Sequence, residues 1–118
     1  MGVQVYEGSC HCGAVRFSAQ TALDSLMRCN CSRCKRLGWV LQPVPSERFT
    51  LSIGADTLTS YRFNTERINH TFCSVCGVEA FANGTDRDGN PLYMVNVNCL
   101  DGAQYDAETV TNVDGASF

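Results

Sequence analysis

Seven of the eight cysteines in this chain fall into three short motifs: Cys10-x-Cys12, Cys29-x-Cys31-x-x-Cys34 and Cys73-x-x-Cys76. Nothing else in the sequence restricts the fold as strongly. Seven thiolates exceed the four ligands of one tetrahedral zinc ion, so the motifs must divide between two sites. The most economical division puts Cys10, Cys12, Cys73 and Cys76 on one ion and leaves Cys29, Cys31 and Cys34 as a compact local set of three. The first group ties together segments about sixty residues apart, the kind of clip that most reduces the freedom of the unfolded chain. A structural zinc takes four protein ligands, whereas a catalytic zinc keeps three and an open position. The spacing therefore predicts one closed and one open site.

Disulfides are the competing explanation for so many cysteines. Residues two or three apart rarely place their Cα and Cβ atoms for an unstrained disulfide. The N-terminus MGVQVYEGSC shows no basic region followed by an apolar one, so no secretory signal is expected and a cytoplasmic home follows. In that reducing compartment grouped cysteines bind metal more often than they pair. No run of about 18 apolar residues is present, which argues against a membrane-spanning helix.

With 118 residues, 44% hydrophobic and 18% charged, the sequence predicts one folded domain over residues 1–118 that profits from a metal staple. A net charge of −3 is a poor footprint for nucleic acid, so no nucleic-acid partner is expected. Locally, Arg28, Arg33, Lys35 and Arg36 gather around the middle cysteine motif, which predicts anion binding there.

The apolar pattern is short and alternating. Strands are expected around Val3 and Val5, around Val15 and Phe17, over Phe49–Ile53, Leu58–Phe63 and Ile68–Phe72, over Val78–Ala82 and over Leu92–Val97. The turn Asn64-Thr65-Glu66-Arg67 joins two of them. Leu41 to Val44 carries Pro43 and is followed by Pro45, so an edge segment is the most it can form. One short helix is predicted over Ser32–Leu37, stopped by Gly38. From Ala103 onward periodicity is weak and an irregular, partly mobile tail is expected. Turn signals about every ten residues predict a mainly β protein, a sandwich or open barrel.

Charge sharpens the division of the cysteines. Four thiolates around Zn²⁺ leave a weak Lewis acid suited to a structural role. Three leave room for an incoming thiol, whose proton the metal can strip. The surrounding basic residues suit carboxylates, so the expected partner is a small acidic thiol.

The succession Gly8-Ser9-Cys10-His11-Cys12-Gly13-Ala14-Val15-Arg16-Phe17, Cys29-Asn30-Cys31-Ser32-Arg33-Cys34 and Phe72-Cys73-Ser74-Val75-Cys76-Gly77 resembles the glutathione-dependent formaldehyde-activating enzymes, a family that includes centromere protein V. The resemblance runs from about Tyr6 to Asp101. It implies a mainly β, Mss4-like fold of packed antiparallel sheets. It further implies a structural zinc on Cys10, Cys12, Cys73 and Cys76 and a catalytic zinc on Cys29, Cys31 and Cys34. The implied activity is that of a carbon–sulfur lyase or adduct-forming enzyme joining a small thiol, such as glutathione, to an aldehyde. Asn30 departs from the pattern, standing where many members have histidine.

Two other functions compete. A zinc-stabilised binding module would need Cys99 or His70 to close the second site. A thiol redox enzyme would use Cys99 on a late strand, as B-type methionine sulfoxide reductases of Mss4-like architecture do. Cys99 itself is expected to be a buried small hydrophobe and His70 a satisfied structural histidine. His11, between two ligands, is expected either to hydrogen-bond a metal-binding sulfur or to be an exposed side chain. Trp39, Phe49, Tyr61 and Phe72 are expected in the core.

Overall fold

The computed structural model describes residues 2–62 and 68–115. Among these residues ten strands and one short α-helix follow in the order β1 (Gln4–Ser9), β2 (Arg16–Thr21), β3 (Met27–Cys29), α1 (Ser32–Leu37), β4 (Leu41–Pro45), β5 (Phe49–Ile53), β6 (Leu58–Tyr61), β7 (Asn69–Cys73), β8 (Phe81–Thr85), β9 (Pro91–Asn96) and β10 (Thr111–Val113). They form a three-stranded sheet, β1-β2-β5, and a seven-stranded sheet, β10-β3-β4-β9-β8-β7-β6. Every pairing is antiparallel except β10 with β3. The mainly β prediction holds. Phe63 and the turn 64–67 lie outside the described residues.

Aromatic side chains join the two sheets. Alternation along β2 turns Phe17 and Ala19 inward, and Phe17 is fully buried. Phe17 stacks on Phe49 of β5 with ring centroids 5.3 Å apart, and Phe49 stacks on Tyr93 of β9 at 3.9 Å. Phe81 of β8 meets Phe17 and Phe49 edge-on at 5.6 and 4.8 Å. Offset and edge-on contacts of this kind add about 0.5–1.5 kcal/mol per pair beyond the area buried. Gly8 on β1 lies against this cluster, where a Cβ would run into the Phe17 ring. Backbone packed directly on an aromatic face demands glycine there.

Four expectations need correction. Leu41–Pro45 is not an edge segment: β4 runs between β3 and β9. The Asn96 N–H bonds to Ala80 O on the β8 side, so alternation turns Val95, and with it Gln42 and Val44, toward the β4–β9 ladder. Pro43 and Pro45 therefore face the other way, where β3 pairs with β4 only at Leu41. The buried Gln42 side chain covers part of that side, donating to Pro43 O at 3.0 Å and accepting from Ser25 N–H at 2.9 Å. The proline rule fails because a short neighbour leaves most of the outer edge unpaired.

The stretch 104–115 also carries regular structure that its sequence does not suggest. It includes β10, whose Thr111 N–H bonds to Leu26 O, while Val110 and Tyr105 pack against Leu26, Val40 and Val97. Three residues are too few for periodicity to show. The eighth strand starts at Phe81 rather than Val78, because Val78 O is used to accept the Cys73 N–H at 3.0 Å and so closes the preceding turn. Tyr61, finally, is not core: it is about half exposed, and its ring lies under the Arg33 guanidinium, 5.0 Å from the centroid.

Candidate metal centres

Two groups of thiols come together, with the division expected from their spacing: Cys10, Cys12, Cys73 and Cys76 in one, Cys29, Cys31 and Cys34 in the other. In each group the sulfurs all lie within 4.8 Å of one another. None of the eight cysteines is in a disulfide.

The four-cysteine group sits where the two sheets meet. The β1–β2 turn of the small sheet contributes Cys10 and Cys12, and in the large sheet the end of β7 contributes Cys73 and the turn after it Cys76. Gly13 and Gly77 follow the two motifs with φ of 83° and 80°, which lets each chain turn back immediately after its last ligand. The Sγ atoms of Cys10 and Cys12 are 3.7 Å apart, and those of Cys12 and Cys73 are 3.6 Å apart. Sulfurs at the corners of a tetrahedron around zinc, with bonds of about 2.3 Å, stand about 3.8 Å apart. The donor set therefore fits such an ion.

Backbone N–H groups point at these sulfurs. Those of Val75 and Cys76 reach Cys73 Sγ at 3.4 Å, and that of Val15 reaches Cys10 Sγ at 3.4 Å. The Val78 N–H is the main influence holding the Cys76 thiol down to about 6, and the Cys76 N–H likewise lowers Cys73. Cys12 moves the other way, to about 11: the Ala14 N–H lowers it, but desolvation and the neighbouring sulfurs prevail. Negative charge shared by four close thiols calls for a cation.

The three-cysteine group is local. Cys29 ends β3, Cys31 caps α1 by accepting the Cys34 N–H at 3.3 Å, and Cys34 lies in the first turn of α1. Cys31 N–H in turn reaches Cys29 Sγ at 3.4 Å. The helix ends at Gly38, as its sequence predicts. Burial works to raise the Cys31 thiol, but the Cys34 N–H, the neighbouring Cys34 and Cys29 thiols and the Arg33 N–H together outweigh it and lower the pKa. Burial pushes Cys34 up to about 12 despite the opposing influence of the Trp39 indole N–H. That indole nitrogen is buried, and among the described residues it has no partner in hydrogen-bonding geometry. A buried N–H left over beside a thiol suits a site where the sulfur carries negative charge. Among the described residues no fourth histidine, cysteine or carboxylate joins these three.

The C-terminal segment walls this site. Asn30 N–H bonds to Val113 O at 3.1 Å, and the Asn30 side chain donates to Asp114 at 3.0 Å. Gly115 rests on Cys29 Sγ so closely that a Cβ would collide with it. Arg28, Cys29, Asn30, Cys34, Lys35 and Asp114 are among the residues around a pocket of about 530 Å³.

The four basic residues divide. Arg28 and Lys35 line that pocket. Arg36 lines a different one, with Ser32, Leu37 and Tyr61, and donates to Ser32 O at 2.8 Å. Arg33 turns away from the pocket into an ion pair with Glu79, through Nη2 at 2.7 Å and Nε at 3.2 Å. His70 meets the other oxygen of Glu79 at 2.8 Å, and both are almost fully buried. His70 is thus a satisfied interior histidine rather than a thiol-site ligand. Glu79 escaped the sequence analysis, although one acid inside the apolar run Val78-Glu79-Ala80-Phe81-Ala82 is a signal that could have found it.

Cys99 does not approach the three-cysteine site. It packs with the cluster that holds Cys10, Cys73 and Cys76, and burial, aided by Cys10 and Cys76, pushes its thiol up to about 11. Such a thiol is a poor nucleophile. His11 is exposed. Among the described residues no helix is long and apolar enough to cross a membrane.

Residues 5–113 match the family described as glutathione-dependent formaldehyde-activating enzyme. In three dimensions the chain is similar to the crystal structure of a Rhodobacter sphaeroides protein, with a TM-score of 0.77 and 30% sequence identity, covering 91% of this chain and 99% of that one.

Proposed function

This chain belongs to the glutathione-dependent formaldehyde-activating enzyme family, of Mss4-like fold, and from that membership we propose a zinc-dependent carbon–sulfur lyase or adduct-forming enzyme that joins a small acidic thiol to an aldehyde. The observation that carries the proposal is the three-thiol group Cys29, Cys31 and Cys34, with no fourth ligand among the described residues, opening beside Arg28 and Lys35. Glutathione, with two carboxylates and one thiol, has the charge and reactive group that this pocket suits. A cytoplasmic home belongs to the same proposal, since eight unpaired thiols suit a reducing compartment.

Cys29, Cys31 and Cys34 would hold the catalytic ion; Cys10, Cys12, Cys73 and Cys76 would hold a structural one that locks the two sheets. When bound at the three-thiol site, zinc supplies positive charge that lowers the pKa of a substrate thiol and fixes its sulfur. The chain's own residues do the rest. Arg28 and Lys35 draw the substrate carboxylates toward the pocket. The N–H groups aimed at Cys29 and Cys31 hold those sulfurs in place. The segment Val113 to Gly115 restricts approach from one side.

In the net reaction the thiol S–H bond breaks, the sulfur lone pair forms a bond to the carbonyl carbon, and the π pair moves to oxygen, which takes the proton. The S-hydroxymethyl thiol that results returns to thiol and aldehyde by the reverse path. Because this addition also runs unaided, the test is acceleration of exchange. NMR exchange spectroscopy of glutathione with formaldehyde should show faster interconversion with the native protein. Cys31→Ser should return it to the uncatalysed rate while the four-cysteine site keeps its zinc. Equal rates for native protein and variant would sink the mechanism.

A further inference from the structure

The Arg33–Glu79–His70 chain links α1, which carries Cys34, to the stretch that follows Cys76. Glu79 follows Cys76 by three residues, and its backbone is held rigidly: Asn96 Nδ2 donates to Glu79 O at 3.0 Å, and the Asn96 N–H to the next carbonyl, Ala80 O, at 2.9 Å. Its carboxylate then crosses to α1 and grips Arg33, the residue immediately before Cys34 and two after Cys31. A carboxylate with 2% of its side chain exposed must be paired to be tolerated, so this geometry is strongly enforced.

We propose that Glu79 is a positioning residue: by holding Arg33 it sets the orientation of the α1 turn that brings Cys31 and Cys34 onto one metal ion with Cys29. The inference rests on the reading of these three thiols as a metal site. Several observations support it. A helix of six residues is too short to hold its own shape and needs an external anchor. The anchor falls inside the Cys31-x-x-Cys34 spacing, not at the helix end. His70 holds the second carboxylate oxygen, which prevents the carboxylate from swinging away from the helix.

The test uses the full chain, stripped of metal and titrated with cobalt(II), whose thiolate charge-transfer and ligand-field bands report each site. Native protein should bind two ions; a single ion, at the four-cysteine site, would overturn the reading of the second site itself. Given two, Glu79→Gln should leave the first ion unchanged and weaken the second roughly 10- to 100-fold, the loss typical of groups that orient metal ligands, with altered ligand-field bands. Arg33→Met breaks the same link from the partly exposed side, which keeps the test available if Glu79→Gln does not fold. It should weaken the second ion comparably, and the double variant should be no worse than either single one. Arg33→Lys, which keeps the charge and a single contact, should restore part of the affinity. Native affinity and spectrum at the second site in folded Glu79→Gln or Arg33→Met would overturn the proposal.

Discussion

The rings of Phe49 and Tyr93 lie 3.9 Å apart, centroid to centroid, and within 9° of parallel. Phe49 comes from β5 of the small sheet and Tyr93 from β9 of the large one, so this stack, with Phe17 and Phe81 around it, is the apolar joint between the sheets. The four thiols Cys10, Cys12, Cys73 and Cys76 meet at a second joint, which a bound ion would lock. Between them the two joints determine whether the small sheet stays attached.

Phe49→Ala should therefore cost about 3–5 kcal/mol, the range for emptying a buried aromatic site. Tyr93→Phe keeps the ring and should stay within about 0.5 kcal/mol of the native chain. Urea unfolding of the metal-loaded protein checks both, with the midpoint as readout. A small effect of Phe49→Ala would show that the aromatic joint is dispensable.

Loss of a four-cysteine ligand should be more severe. Structural zinc contributes on the order of 10–16 kcal/mol in small metal-dependent domains, comparable with the whole stability of an ordinary domain at about 5–15 kcal/mol. Cys73→Ser should thus abolish the cooperative unfolding transition seen by near-ultraviolet circular dichroism, as should prolonged chelation of the native chain. Cys99→Ala should preserve both metal content and transition, since Cys99 packs beside this centre and is not among its four thiols.

At Gly115 the expected outcome separates stability from metal binding. A methyl group there collides with Cys29 Sγ, the free end of a side chain that can rotate aside at little cost to the fold. As a ligand, however, that sulfur has nowhere else to go. Gly115→Ala should leave the unfolding midpoint nearly unchanged and weaken metal binding at the three-cysteine site by about tenfold, the low end for disturbed ligand orientation. Metal competition titration measures it.

The split of the basic residues predicts a split in kinetics. Arg28→Ala and Lys35→Ala should each raise KM for glutathione about two- to fivefold, as expected for exposed charge pairs of about 0.5–1 kcal/mol, with the effect shrinking at high salt. Arg36→Ala should leave KM unchanged, because Arg36 lines a pocket apart from the thiols. Steady-state rates with glutathione and with cysteamine, which has no carboxylate, check this; an equal loss with both thiols would contradict carboxylate recognition.

The sequence by itself determined the membership of both thiol groups, the short helix between Cys31 and Gly38, and the mainly β character. The helix and the β character follow from a local period, and the grouping of the thiols follows from short spacings combined with the four-ligand limit of one tetrahedral ion. Only the tertiary structure decided where Cys99 packs, that Tyr61 lies outside the core, and that β10 pairs with β3 to wall the second site. It also decided that Arg33 answers Glu79 instead of facing the pocket with Arg28 and Lys35, and that β4 accommodates Pro43 away from the sheet edge. These are contacts between residues far apart in the chain, set by strand register and by how two sheets lie on a shared aromatic core. No local pattern encodes them, because each is the result of many weak contacts balanced at once.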